Sequence, residues 1–542
     1  MLASNRDIGQ CTSVCLKKPP RHRKDLAAPK INGLRERRIR MKRDPTVDTI
    51  VKLAENLGMS VTPSEAEDYA HLIETTLADY DVIREMSEPA VSPEEQRYAR
   101  SDSGRRPDEG EDPYNAWISR TKVAGADDGL LADARVGLKD NIALAGVEMT
   151  CGSTLLEGYV PSVTATVVHR LLDEGATIVG KNNMDSFGFS SSGDLSDFGA
   201  VRNPADESYL AGGSSGGCAA ALASDEIEIA LGCDQGGSIC VPAANCGVVG
   251  LRPTTGLVPY TGIFPVERTI DHVGPMAQRV ADVAVTLEAI AGRDGLDSRQ
   301  PADLEPEGYT EALGRDISGL TVALLEEGFD HPESRAAVTD AVDSAVGRLA
   351  DLGVEVKRVS VPIHNRAPAV AWLIWGYGSL QVFKQAGQVP QHDGWYDTDF
   401  KRIFSKCRAA AGDTLSPMVK ATLLAMEYID QRHTALYGKA KNVSRTITRR
   451  YDDVLAEADA IVMPTTPGKP LGVDPELNQI ERIIRTFPPN KNTCPFAITG
   501  HPTLSVPCGT VDGLPIGMML VGSRFDESTI LSIGDAYERH SS

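Results

Sequence analysis

Two clusters of glycine and serine lie within residues 211–250, and each is followed by small residues suited to a helix. The second cluster runs from Asp234 to Ser238 and follows the strand-like run Glu226–Leu231. Glycines in such a turn let successive backbone N–H groups face one direction, which makes a binding site for an anion. A serine there has its hydroxyl beside donors that suit a tetrahedral oxyanion. Ser238 is therefore a candidate for acyl-transfer chemistry.

A serine of this kind needs a base, and the ten histidines are dispersed without an obvious partner motif. Lys139 stands at the end of the short apolar strand predicted over Ala134–Leu138. A lysine at the end of a strand is usually a solvated charge. Burial, however, lowers the pKa of a lysine and leaves a neutral amine that can accept a proton. Lys139 is thus a candidate base.

Three other kinds of glycine-rich site fit this segment less well. A phosphate loop ends in Gly-Lys-Ser or Gly-Lys-Thr, which the segment lacks, and its glycines miss the spacing of a dinucleotide-binding fingerprint. Gly213–Gly217 does match the Gly-x-Ser-x-Gly elbow of serine hydrolases around Ser215, but that motif requires a buried strand before it. The preceding residues Asn203–Ser208 predict a polar turn, so a Ser-His-Asp hydrolase is disfavoured.

The elements that must position these residues alternate between strands and helices from about residue 120 onward. Predicted strands are Ala134–Leu138, Ala176–Val179, Glu226–Leu231, Leu320–Leu325, Val354–Val361, Ala460–Met463, Thr503–Val506 and Pro515–Val521. Predicted helices are Thr164–Glu174, Ala336–Leu352, Tyr451–Glu457 and Asp526–Arg539, while Arg252–Thr254 predicts a turn. Strands alternating with helices indicate an α/β sandwich around a parallel or mixed sheet. Residues 116–542 are predicted to form one domain.

The first part of the chain divides into two segments of different composition. Residues 1–45 hold 13 lysines and arginines against 4 acidic residues, and we expect a disordered leader or sequence upstream of a native start at Met41. Residues 46–115 predict helices followed by a linker. Apolar residues recur at helical spacing from Ile50, and Thr62–Glu65 opens a second helix. This helical segment is too short for a core of its own, and we expect it to pack on the main domain or in a homodimer.

The remaining 497 residues carry 42 basic and 71 acidic residues, within a chain whose net charge is −20. So acidic a body argues against a nucleic-acid groove. An acid-rich, lysine-poor surface suits solubility in concentrated salt, which indicates a halophile's cytoplasm. There is no apolar run of eighteen residues, so no membrane-spanning helix is predicted. The ten scattered cysteines predict free thiols in a reducing compartment and no metal site.

The motifs described above are similar to those of the amidase signature family. The matching segments are VGLKDNIALAG, AVRNP, AGGSSGG, GCDQGGSI, VPAANCGVVGLRPT, GLVPYTGIFPVERTIDHVGPMAQ, NTCPFAITGHPTLSVPCG and GLPIGMMLVG, in unbroken order over about residues 120–530. The family resemblance implies an α/β sandwich with a mixed sheet flanked by helices. Within the family, Asp234–Gly237 and the helical N-terminal segment resemble bacterial amidases that act after nitrile hydratases on small amides.

The resemblance also implies a Ser–cis-Ser–Lys triad and no cofactor. Carried over by position, Ser238 would be the nucleophile, Ser214 the bridging serine after a cis peptide bond from Gly213, and Lys139 the base. The backbone N–H groups of the residues around the nucleophile would form the oxyanion hole, namely Gln235, Gly236, Gly237 and Ser238. The family usually has an arginine two residues after the nucleophile, where this chain has Cys240. Such an arginine could pair with Asp234, so its absence is expected to lower activity or loosen the loop.

Two other functions remain open at this point. The glutaminase component of the glutamyl-tRNA amidotransferase uses the same triad to free ammonia from glutamine. Residues 492–508 lack the acidic residue expected near a glutamine pocket, which favours an amidase acting on a small carboxamide. A catalytically silent scaffold would be expected to have drifted at Lys139, Ser214 or Ser238, and all three are intact. The sequence does not distinguish between aliphatic and aromatic amides.

Overall fold

A computed structural model describes residues 45–88, 97–98, 100, 102–332, 334–390 and 392–541. The chain divides into two compact units, Met1–Ala90 and Val91–Ser542. The expectation for the basic leader, residues 1–44 with Met41, falls outside the described residues. In the part that is described, no helix is both long and apolar enough to cross a bilayer.

The smaller unit contains two helices, α1 (Val47–Asn56) and α2 (Pro63–Glu85). The hydroxyl of Thr46 caps α1 by accepting the N–H of Thr49. Thr62 and Glu65 cap α2 reciprocally, and Pro63 occupies its first turn, where a missing N–H costs nothing. The prediction of two helices in this segment is confirmed.

The larger unit is built on an eleven-stranded sheet with the strand order β1-β3-β2-β6-β8-β7-β12-β13-β11-β9-β10, counted over the described residues. Strands β2, β3 and β6 run parallel, as do β9, β10 and β11, whereas β8, β7, β12 and β13 pair antiparallel with their neighbours. The predicted mixed sheet is therefore confirmed. The strands are β1 (Trp117–Ala124), β2 (Arg135–Lys139), β3 (Thr177–Asn182), β4 (Arg202–Asn203), β5 (Asp206–Leu210), β6 (Ile229–Asp234), β7 (Val249–Arg252), β8 (His272–Ala277), β9 (Thr321–Leu325), β10 (Glu355–Val359), β11 (Ala460–Pro464), β12 (Thr503–Val511) and β13 (Leu514–Val521).

Helices flank this sheet and bury its apolar side chains. Every residue of β6 is buried, as expected for a central strand covered on both faces. The small residues of α4 and α5 let these two helices pack deep in the core, where nearly all of their side chains are buried. The helices of this unit are α3 (Thr166–Asp173), α4 (Gly216–Ala223), α5 (Cys240–Cys246), α6 (Val280–Ile290), α7 (Ala336–Asp351), α8 (Ala367–Lys384), α9 (Thr398–Ala411), α10 (Pro417–Arg432), α11 (Leu436–Leu455), α12 (Gln479–Ile484), α13 (Cys494–Thr499) and α14 (Glu527–Ser541).

Two short segments differ from the sequence prediction. Arg100 and Arg105, within the predicted linker, form β-bridges to Val123 and Arg120 of β1, so the sheet-bearing unit includes residues before 116. The predicted polar turn Asn203–Ser208 contains a hairpin of β4 and β5 instead. Residues Asp206–Ser208 are exposed, so the hairpin is not the buried strand that a hydrolase elbow needs.

Candidate active site

Lys139, Ser214 and Ser238 lie in one line of hydrogen bonds. Lys139 Nζ donates to Ser214 Oγ at 2.8 Å, and Ser214 Oγ donates to Ser238 Oγ at 3.0 Å. Lys139 and Ser214 are fully buried, whereas 8% of Ser238 is exposed. The peptide bond between Gly213 and Ser214 is cis. The three residues come from three separate segments of the chain, and the fold brings all of them together.

The sheet explains how these segments meet. Strands β2 and β6 are parallel neighbours with Leu138 opposite Leu231, so their carboxyl ends lie at the same edge of the sheet. Lys139 ends β2, and Ser238 follows four residues after the end of β6. Helix α4, which begins just after Ser214, approaches β1 and β3 closely at Gly217. A Cβ atom there would lie 2.4 Å from the carbonyl oxygen of Ala116, so only glycine permits this contact.

The segment before Ser214 is held by a buried carboxylate. Asp185 accepts hydrogen bonds from the N–H groups of Gly193 and Leu195, at 3.1 and 2.7 Å. A Cβ atom at Gly213 would lie 2.0 Å from Asp185 Oδ2, so the carboxylate packs directly against the glycine that precedes Ser214. Burial raises the pKa of Asp185 to about 7. Asp185 thus fixes the position of the serine segment.

The surroundings of Lys139 favour a neutral amine. Burial lowers its pKa, because the protonated form loses its hydration, and the nearby thiols and carboxyl groups offset this only in part. The next buried lysine, Lys181, has a carboxylate partner, since its Nζ lies 3.0 Å from Asp140 Oδ1. Lys139 contacts a hydroxyl and the carbonyl oxygen of Cys233 instead, the latter at 2.8 Å. An amine in this setting can accept a proton from a serine hydroxyl.

The loop between β6 and Ser238 is ordered by the carboxylate of Asp234. It accepts hydrogen bonds from the N–H groups of Gly236 (2.9 Å), Gly237 (2.6 Å) and Ile239 (2.7 Å). The N–H groups of Gln235 and Ser238 make no hydrogen bond to the described residues. All four residues predicted for the oxyanion hole therefore lie in one loop, and two of their N–H groups are already bound to Asp234.

Sequence reasoning missed Arg252. It was predicted in a turn, but it ends β7 as a fully buried side chain. Its Nη1 lies 3.3 Å from Asp234 Oδ1 and donates to the carbonyl oxygen of Thr493 at 3.2 Å. Burial acts to raise the pKa of Asp234, but the Arg252 charge and the backbone N–H donors outweigh it and hold that pKa below its usual value. The signal in the sequence was an arginine among the apolar residues of Val249–Leu251.

Arg252 makes the ion pair that was expected of an arginine at position 240. Cys240 is itself buried, with its Sγ 3.4 Å from Thr503 Oγ1, and it lies away from any exposed surface. The carboxylate of Asp234 is therefore paired even though the residue two positions after Ser238 is a cysteine.

We expect Arg252→Met to destabilise the protein by about 3–5 kcal/mol, because it leaves the Asp234 carboxylate buried without a partner. The double variant Arg252→Met with Asp234→Asn should recover part of this stability. Its activity should stay low, since an amide supplies one carbonyl oxygen where the loop uses two carboxylate oxygens. Urea unfolding and kcat on one amide measure the two effects, with Arg252→Lys as the charge-conserving control. Full activity of the double variant would show that Asp234 does not order the loop.

A narrow cavity of about 40 Å³ reaches Ser238 from the surface. Its walls are aromatic, formed by Phe189, Trp372, Trp375 and Phe487, and no charged side chain lines it among the described residues. Asn490 also lines it, and its buried Oδ1 accepts no hydrogen bond from the described residues. The cavity thus offers an apolar enclosure with one free acceptor.

Comparison with known proteins agrees with this geometry. The amidase family profile matches residues 115–531. The chain belongs to the amidase family. It is therefore an amidase-signature enzyme of the carbon–nitrogen hydrolase class, as the serine motifs indicated.

Three relatives illustrate the range of this family. An enantioselective amidase of Rhodococcus rhodochrous is 39% identical over 500 residues, which cover 90% of this chain and 94% of that protein. The first of the glutamyl-tRNA(Gln) amidotransferase subunits, that of Haloarcula marismortui, is 37% identical over 428 residues, covering 78% of this chain and 99% of that protein. The crystal structure of the peptide amidase of Stenotrophomonas maltophilia superimposes with a TM-score of 0.62 at 30% identity, covering 76% of this chain and 83% of that one.

Proposed function

We propose that this amidase hydrolyses a small carboxamide to a carboxylic acid and ammonia, with Ser238 as nucleophile, Ser214 as bridging serine and Lys139 as base. The observation that carries the proposal is the unbroken line of hydrogen bonds from the buried Lys139 Nζ through Ser214 Oγ to Ser238 Oγ. No cofactor is needed for this chemistry.

The reaction proceeds in two halves. Neutral Lys139 takes the proton of the Ser214 hydroxyl while Ser214 takes that of Ser238, and Ser238 Oγ bonds to the amide carbon. When the carbon–nitrogen bond breaks, the same relay returns the proton to the departing nitrogen and ammonia leaves. A water molecule then attacks the acyl-enzyme, gives its proton to the relay in the same way, and releases the acid and free Ser238.

The oxyanion that forms in each half is stabilised by the loop Gln235–Ser238. The N–H groups of Gln235 and Ser238 have no other acceptor among the described residues, which supports them as its principal donors. Gly236 and Gly237 contribute by the hydrogen bonds that fix the loop to Asp234.

The cavity supports a primary amide with an uncharged acyl group. Asn490 Oδ1 has a free lone pair beside Gly236 and would accept an N–H of the substrate carboxamide, which costs free energy to leave unpaired. Glutamine would bring a charged ammonium and a charged carboxylate against aromatic walls without a partner for either.

The glutaminase of an amidotransferase is the second candidate, because relatives with that name match over nearly their whole length. The relative named an amidase supports the first candidate more strongly. Its match covers 90% of the chain and so must include most of the helical unit, whereas the amidotransferase match covers 78%. A silent scaffold is disfavoured by the intact line of hydrogen bonds.

Further proposals come from composition. All eight cysteines in the described part of the chain are free thiols, which supports a reducing cytoplasm. The net charge of −20 supports an organism that lives in concentrated salt. We also propose that the helical unit joins two copies in a homodimer, and that the reaction is that of the general amidases, EC 3.5.1.4.

The test is ammonia release from a panel of primary amides and glutamine, measured in concentrated potassium chloride. We expect kcat/KM for propionamide or benzamide to exceed that for glutamine by at least about 100-fold, because the ionic groups of glutamine would be buried without partners. Release from glutamine alone would assign the chain to the amidotransferases. Silence across the panel in folded protein would reopen the scaffold function.

A further inference from the structure

A second and larger cavity lies beside the one that reaches Ser238. Its volume is about 530 Å³, within the range typical of ligand sites, and it is formed by α8, α10, α12 and the segment after α12. Apart from the hydroxyl of Thr422 and the indole nitrogens, its lining is apolar, and no charged side chain lines it among the described residues. We call it the outer cavity and the space at Ser238 the inner cavity.

The two cavities are continuous. Trp372, Trp375, Met418 and Phe487 line both of them, so only these side chains divide the two spaces. Trp372 packs edge-on against Phe487, with ring centroids 5.0 Å apart, and Trp375 packs in the same way against Phe189 at 4.9 Å. The outer cavity is therefore an extension of the candidate active site and not a separate surface feature.

Their sizes divide a substrate into two parts. The inner cavity, at about 40 Å³, has room for a carboxamide group and little more. The outer cavity is more than ten times larger and suits an apolar group, since it offers apolar surface to be removed from water. Trp372 Nε1, at the junction, is buried and donates no hydrogen bond to the described residues.

We propose that the outer cavity holds the apolar acyl group of the substrate, so that the preferred substrates are primary amides of long-chain or multi-ring apolar acids. This inference rests on the proposed hydrolysis at Ser238. The carboxamide reaches Ser238 through the passage lined by Trp372, Trp375 and Phe487, while the rest of the acyl group stays in the outer cavity. Trp372 Nε1 provides a donor for an acceptor placed near the carboxamide.

The test is a series of straight-chain primary amides from acetamide to octanamide. Once the chain extends beyond the inner cavity, kcat/KM should rise by about fourfold for each methylene that the outer cavity buries. Ala425→Asp places a charge in the outer cavity from α10 without touching the inner cavity. It should lower kcat/KM for octanamide by at least about tenfold and leave acetamide unchanged. Leu424→Asp is the matched control, because Leu424 is 72% exposed and does not line either cavity.

The outcomes separate this inference from the function on which it rests. Ser238-dependent hydrolysis of acetamide with no gain for longer chains would overturn the inference and keep the proposed function. Equal loss on acetamide and octanamide in Ala425→Asp would also overturn it. A flat length series together with a dimer that dissociates in Ala425→Asp would assign the outer cavity to a second copy of the chain. Loss of activity on every amide would instead count against the proposed function.

Discussion

Replacing Ser238 by alanine should lower kcat by about 10⁴- to 10⁶-fold, the range measured when the nucleophile of a serine hydrolase is removed. The variant has no oxygen to bond to the amide carbon, and the hydrogen bond from Ser214 loses its acceptor. Ammonia release measures the loss. In the unaltered enzyme, hydroxylamine should intercept the acyl group and give a hydroxamic acid, which the variant should not form.

Ser215→Ala is the control for this experiment. Ser215 is the other serine of the first glycine-serine cluster and is also buried, but its Oγ donates to the carbonyl oxygen of Cys233 at 3.3 Å and lies outside the line of hydrogen bonds. We expect it to keep kcat within about tenfold of the original, since it loses one neutral hydrogen bond. If Ser215→Ala lost as much activity as Ser238→Ala, the nucleophile would have to be reassigned.

Replacing Lys139 by methionine or arginine should lower kcat by about 10³- to 10⁵-fold, because the relay loses its base and its proton donor together. Methionine has nearly the length of lysine but no amine. Arginine keeps a positive charge but stays protonated at every pH at which proteins are stable. Substantial activity in Lys139→Arg would mean that the positive charge, and not a neutral amine, is what the site requires.

The pH profile tests the protonation state of Lys139 directly. The working form is the neutral amine, so kcat/KM should fall about tenfold per pH unit below the pKa of Lys139 and level off above it. Burial lowers that pKa from the usual 10.5, so the plateau should begin below pH 10.5. The residual activity of Lys139→Met should lack this acidic limb, whereas Arg252→Lys should keep it.

Much of the sheet follows from local patterns in the sequence. The short apolar runs that end at Leu138, Val179 and Val521 lie in β2, β3 and β13, because buried strands need continuous apolar residues that any sequence window shows. The hairpin of β4 and β5 was missed since its residues are polar and exposed. Its strands are held by each other and by a bridge from Tyr209 to Gly472, far away in the chain.

The site divides in the same way. Lys139, Ser214 and Ser238 stand in dense motifs whose resemblance to a family assigned them roles. Arg252 carries no motif, because its partner Asp234 is separated from it by a helix and a turn and the contact exists only after the strands pair. The outer cavity could not be predicted, since α8, α10 and α12 contribute single residues at helical spacing that also suit an ordinary core.

The strand order has a consequence for how the protein is made. The last strands of the nascent chain, β12 and β13, join β7 to β11 in the interior of the sheet. The edge of β7 that will pair with residues 503–505 therefore stays open while the ribosome adds the roughly 250 residues between them. At about 5–20 residues per second, this takes on the order of 10–50 seconds. An unpaired edge in a hydrophobic sheet is prone to join another chain, so this edge is where a chaperone would protect the unfinished enzyme.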